Sequence, residues 1–238
     1  MTGNDISKQC AAMGCFCNLA LGDSRTCVTL VKAAGTYMVA CLDNLTTELA
    51  VTSAWTVGNL AGSGVKSCEL LTSQGAMAKL IELLVSNNEE MRDAALYAVT
   101  LYVYQMRDDL RLEYLEKIFR IIHHLDVNTT LQFIFIISCH KNFSSKLLSE
   151  EFVRNLLQHL IKNVDKYTDE KLTYIFRFLA NVNCRDLFNI VLNSFVENNV
   201  LLDIKKMSES NEAVLWFLGN SYKLSNDHVA FEMLCKAQ

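Results

Sequence analysis

The chain repeats itself about every 40 residues, and that spacing limits its fold more than any other feature. CNLALGDS (17–24) lies over GNLAGSGV (58–65), which brings Asn18 onto Asn59 and Leu19 onto Leu60 at a shift of 41. AAG (33–35) matches SQG (73–75) at a shift of 40, and ELAVTSAWTV (48–57) aligns with EMRDAALYAV (90–99) at 42. Trp55 then meets Tyr97, and Asn59 meets Leu101. Farther on the likeness loosens but keeps its punctuation: TLQFIFIISC (130–139) lies over LTYIFRFLANVNC (172–184) at a shift of 45. NEAVLWFLGNS (211–221) restores a tryptophan four residues before an asparagine, as Trp216 and Asn220. The recurring position falls at 18, 59, 101, 136, 181 and 220. A period of this length marks stacked supersecondary units, none of which can cover its apolar face alone.

The units are expected to be helical. The 238 residues include no proline and only nine glycines, too few turn-makers for a β-sandwich or an α/β sheet, and Leu, Ala, Glu, Lys and Met abound. The second unit reads as a short helix, VKSCELLTSQ, broken at Gly75, a residue that tolerates positive φ at a helix end. A second helix, AMAKLIELLVS, spaces Met77, Leu80, Ile81 and Leu84 for one apolar face. Asn87–Asn88 provide a capped turn, and a longer third helix runs from about Glu89 to Gln105. On the helix carrying AWTVGNLAG (54–62), Ala50, Ala54, Val57 and Ala61 share one sector, the core stripe. At about 100° per residue, Trp55 and Asn59 lie well round from that stripe, as neighbours at i, i+4. Either another element covers them or they face a groove that binds something.

These residues resemble the armadillo repeat, and within it the importin-α type, whose third helix ends in a motif like A-W-x-L-x-N-[IL]-A-x-G. Residues 54–62 follow it with Val57 in the leucine place, and GAMAKLIELL (75–84) resembles the second-helix segment with Ala78 in place of proline. The resemblance is clear over roughly 8–105 and loose over 130–223. The armadillo proteins described as transmembrane and coiled-coil domain-containing are similar too, which makes a divergent relative of those the other expectation. The implied fold is an all-α, right-handed armadillo solenoid of five to six short repeats over 1–223, closed by a capping helix in 224–238. Asp227, Glu232 and Lys236 would give that cap a modest polar outer face.

In that family the third helices line a concave groove, and the resemblance implies a role for each matching residue. Asparagine carboxamides hold the backbone of an extended peptide, while tryptophan faces form slots for the stems of Lys or Arg. Asn59 with Trp55, and Asn220 with Trp216, match both elements; Asn18 and Asn181 match the amide alone, with Gly14 and Arg177 in the tryptophan places. Asp23 is the expected rim acid. The third and fourth copies depart, with Leu101 and Ile136 in the amide place and Tyr97 and Gln132 in the tryptophan place. Arg177 in the groove would repel a cationic ligand. Val214, Phe217 and Leu218 make the Trp216 helix apolar nearly all round, which favours burial of that indole. The basic autoinhibitory arm of importin-α adaptors has no counterpart, and the chain starts almost at a third helix, as a fragment of a longer array would.

Other chemistries find little footing. The nine cysteines include no CxxC pair and lie mostly in apolar stretches, so reduced thiols acting as small hydrophobes are expected. Cys139–His140 and His123–His124 have no further ligands at metal spacing. No nucleophile elbow, glycine-rich phosphate loop or HExxH is present, so neither enzyme activity nor a cofactor is expected. The formal net charge of −4 argues against nucleic acid and suits a basic peptide partner. MTGNDISKQ lacks signal-peptide character, and LQFIFIISC (131–139) is too short to span a bilayer and reads as a buried third helix, so cytoplasm and nucleus are the expected locations. The function expected is binding of a protein or extended basic peptide, in its sharpest form recognition of a nuclear localisation signal together with a nuclear transport carrier. The alternative is a scaffold that binds a folded partner and has no part in import.

Overall fold

The computed structural model describes residues 5–107, 109–122, 125–140, 143, 147–163, 166–182, 184–198 and 212–225. Every regular element among them is helical. The helices are α1 (Ile6–Leu19), α2 (Ser24–Cys41), α3 (Thr47–Gly62), α4 (Val65–Ser73), α5 (Ala76–Leu83), α6 (Glu89–Gln105), α7 (Leu112–Ile122), α8 (Val127–Ser138), α9 (Glu150–Asn163), α10 (Asp169–Asn181), α11 (Arg185–Glu197) and α12 (Glu212–Ser225). The chain forms two compact units, Met1–Ile121 and Ile122–Gln238. The expected capping helix and the His123–His124 pair lie outside the described residues, apart from the last two residues of α12.

Short-range chemistry sets the helix starts. Asp5, Asp23, Asn88, Asp126 and Thr168 each accept from a backbone N–H three residues on, and so satisfy one of the open donors at a helix N-terminus. The acidic pairs Glu89–Glu90 and Asp169–Glu170 sit in first turns, where the helix dipole favours them. Gly75, at φ +87, divides α4 from α5 as its sequence suggests. The first copy differs. Gly35, matched to Gly75 by sequence, lies inside the continuous helix α2. Its missing side chain admits Gln74 of the next repeat, whose Nε2 donates to Val31 O at 3.4 Å.

In the first unit α3 packs between α1 and α6, with α2 against α3 and α4, and α5 against α6. The predicted stripe Ala50, Ala54, Val57 and Ala61 is buried, and so are Leu49, Ser53, Thr56, Gly58 and Leu60. What stays open on α3 is a single stripe: Glu48, Val51, Thr52, Trp55, Asn59 and Gly62. Helix α6 comes so close that a Cβ on Gly58 would lie 2.9 Å from Ala98 Cα and 3.0 Å from the Tyr97 ring. The buried Tyr102 hydroxyl ties α6 to α4, donating to Cys68 O at 2.5 Å and lying 2.7 Å from Thr72 Oγ1.

Two cysteines repeat one arrangement. Cys27 and Cys68 are buried, and each thiol donates to a carbonyl seven residues back, Ala20 O and Ala61 O, both at 3.3 Å. Burial pushes the Cys68 thiol up to about 12. The eight cysteines among the described residues are free thiols.

In the second unit α10 packs between α8 and α12, and α11 lies against α9 and α12. Leu131, Phe133, Ile134 and Ile137 bury the segment read as a third helix. Phe176, Phe188, Phe195 and Phe217 form an aromatic cluster with ring centroids 5.5–6.3 Å apart. No described helix is long and apolar enough to cross a membrane.

Gly58→Ala is expected to destabilise the protein by about 1–3 kcal/mol through overpacking against the α6 backbone. Gly14→Ala, where a Cβ meets nothing within 4 Å, should be neutral or mildly stabilising; urea unfolding of both variants checks the contrast. Tyr102 predicts a pH effect. Burial, the largest cause, raises its pKa above the unfolded value, so the stability it contributes is present below about pH 10 and is lost as pH climbs further. Tyr102→Phe should cost about 1 kcal/mol at neutral pH and flatten the alkaline decline, measured by thermal unfolding across pH.

Candidate functional site

The candidate residues fall into two groups, one per unit. In the first unit the exposed stripes of α1, α3 and α6 carry Asn18, Trp55 with Asn59, and Tyr97. The Trp55 indole is 38% exposed and rests on the Tyr97 ring, centroids 4.3 Å apart at 45°. On its other side stands α1. Asn59 Nδ2 donates to Cys17 O at 3.4 Å and approaches Cys17 Sγ at 3.6 Å, which levels Gly14 with Trp55 one turn earlier. A Cβ on Gly14 would meet nothing within 4 Å, so the space at that position is open.

The Asn59 amide is oriented by both neighbours. Its Oδ1 accepts the Tyr97 hydroxyl proton at 2.7 Å while Nδ2 reaches the α1 carbonyl. One lone pair of Oδ1 remains for a ligand. Burial, followed by the nearby Cys17 thiol, raises the Tyr97 pKa and keeps the hydroxyl a donor. Asn18, at the C-terminal end of α1, is exposed, and its carboxamide has no partner among the described residues.

Asp23, the expected rim acid, is occupied locally. It caps α2 by accepting from Thr26 N at 2.7 Å, and that backbone hydrogen bond is the main cause that holds its carboxyl below the ordinary range. The acids on the stripes themselves are Glu48 and Asp93, both exposed, seven residues before Trp55 and four before Tyr97. Sequence reasoning missed them, although the i, i+7 and i, i+4 spacings put them on the faces of those rings. Glu48 acts toward α1, where its carboxylate adds to burial in pushing the Cys10 thiol up.

The second unit repeats the amide geometry. Asn220 Nδ2 donates to Ala180 O at 3.2 Å, and Asn181 Nδ2 to Ser138 Oγ at 2.9 Å. Each recurring amide therefore reaches the residue just before the equivalent position one repeat back: Asn59 to Cys17, Asn220 to Ala180. By that rule the equivalent position on α8 is Cys139, which also lies 3.6 Å from Asn181 Nδ2, and not the Ile136 of the sequence alignment. The positions then run 18, 59, 101, 139, 181 and 220, a more even series. The alignment slipped because the repeats there share apolar residues at nearly every position.

Trp216 stands out at 65% exposure although Val214, Phe217 and Leu218 beside it are buried, so the burial expected from its neighbours does not occur. The α12 helix turns its other faces to α10 and α11 and leaves this one open. Arg177, one turn before Asn181, is exposed as well. The described residues contain no group of three or more potential metal ligands.

No protein family and no curated protein matches the chain. Its fold has solved counterparts. A designed armadillo repeat protein superposes with a TM-score of 0.69 at 17% identity, over 98% of this chain and 96% of its own. Computationally designed armadillo repeat proteins for modular peptide recognition give 0.70 at 18% identity, over 93% and 95%. A designed armadillo repeat protein in complex with the peptide (KR)4 gives 0.66 at 18% identity, over 98% and 95%. At such identities the likeness establishes the fold: the chain has the all-α armadillo-type repeat fold that its period implies.

The Asn59–Tyr97 bond predicts a coupling that needs no ligand. In a double-mutant cycle on unfolding free energy, Asn59→Ala and Tyr97→Phe should be non-additive by about 0.5–1.5 kcal/mol.

Proposed function

We propose that the third-helix face of the first unit holds an extended basic segment of another protein, by equilibrium recognition without chemistry. The observation that carries this reading is the Trp55 indole, backed by Tyr97, partly exposed and accompanied on the same stripes by Glu48 and Asp93. A Lys or Arg stem fits against an indole face while its charge stays near the carboxylates, and cation–π attraction contributes roughly 0.5–2 kcal/mol. The Asn18 carboxamide and the remaining Oδ1 lone pair of Asn59 are suited to backbone groups of the segment. That a designed protein of this fold was solved with (KR)4 supports the basic choice. In its finer form the segment is a nuclear localisation signal, a transport carrier docks on the chain, and the protein works in cytoplasm and nucleus.

One observation favours a scaffold instead. Asn59, Asn181 and Asn220 all bond the preceding repeat, so the amides serve the stack and the open stripes are free to meet a folded surface.

Fluorescence anisotropy with a labelled Lys/Arg octapeptide separates the two. Trp55→Ala, and Gly14→Leu, which fills the open space at the equivalent place on α1, should each weaken binding about tenfold. Affinity that is unchanged in both variants would exclude the peptide mode and leave the scaffold.

A further inference from the structure

The stripes of the second unit carry a different chemistry. Two contacts set α10 and α12 level: the Phe176 and Phe217 rings, 5.6 Å apart, and the bond from Asn220 Nδ2 to Ala180 O at 3.2 Å. Arg177 follows Phe176 and Trp216 precedes Phe217, so guanidinium and indole project from matching turns of neighbouring helices. Both are exposed. Among the described residues Arg177 has no carboxylate partner and Trp216 no ring partner. Beyond them a Cβ on Gly219 would meet nothing within 4 Å, and Lys223 continues the α12 stripe in the open. Of the acids at the N-terminal ends of these stripes, Glu170 accepts the Tyr174 hydroxyl proton at 2.6 Å, and Glu212 lies one turn before Trp216. Past Glu170 and Glu212 the two stripes carry Arg177, Trp216 and Lys223 and are cationic and aromatic, where the α3 and α6 stripes are acidic and aromatic.

We infer that the Arg177–Trp216 face of the second unit binds an extended protein segment carrying an acidic side chain two to three residues from an apolar or aromatic one. A carboxylate pairs with the guanidinium in bidentate geometry, and the apolar neighbour covers the indole. Packed helices lie about 8–10 Å apart and an extended chain advances about 3.3 Å per residue, so the two ligand side chains stand two to three residues apart. The Asn220 Oδ1 and its second N–H are placed for the ligand backbone. The inference rests on the reading that third-helix stripes are ligand faces, and not on the cation preference of the first unit.

The test uses the whole chain and two labelled probes: a peptide of Glu-Gly-Leu triplets and the Lys/Arg octapeptide. The acidic peptide should bind, more weakly as salt rises. Arg177→Glu and Trp216→Ala should each weaken it about tenfold or more, Arg177→Gln by less, and Trp55→Ala not at all. Circular dichroism verifies the fold of these surface variants. Failure of the wild-type chain to bind the acidic peptide, unchanged affinity in Arg177→Glu, or an equal loss in Trp55→Ala overturns the inference. Loss of binding to the basic peptide alone sinks the first-unit reading and leaves this one standing.

Discussion

Close packing of the third helices against one another is the constraint on which the rest depends. Helix α3 meets its neighbours through Ala50, Ala54, Gly58 and Ala61, and α6 answers with Ala94, Ala95 and Ala98. Small residues let the backbones approach until a single methyl at Gly58 has no room. Such packing buries all of α3 except one stripe, and that stripe is where the chain places its indole, its carboxamide and its carboxylate. Open stripe and core are two sides of one helix, so the geometry of the first follows from the tightness of the second.

The carboxamides show how that geometry is held. Asn59 and Asn220 turn an N–H to one of the last carbonyls of the preceding third helix, which lack intrahelical donors, and Asn181 turns one to the Ser138 hydroxyl at the same place. Gln105 does the same for Gly62 O at 2.9 Å. An amide has two donors and two acceptor sites, so bonding the stack and meeting a ligand are compatible roles. The first holds the group in place for the second.

Side-chain identity then separates the two units. Trp55 rests on Tyr97 with acids on both stripes, while Trp216 and Arg177 are exposed on neighbouring helices. One repeat plan thus offers faces of opposite electrostatic character, each described within its own unit. Both set an aromatic surface beside a charge, and the sign of that charge differs between them.

Much of this architecture was legible in the residues alone. The period of about 40, the helix start at Asn88, the break at Gly75 and the buried stripe Ala50–Ala54–Val57–Ala61 all depend on groups within a few positions of each other, where helical spacing and capping rules act. Trp55 and Asn59 were likewise visible as a pair away from the core stripe. Other features were decided only in the folded chain: the partner of each amide, the continuity of α2 through Gly35, the register at Cys139 and the exposure of Trp216. Each of these depends on a neighbour about 40 residues away in sequence, or on which side of a helix is left when its neighbours have packed. No local pattern encodes that distance, because it arises when one repeat lies down on the next.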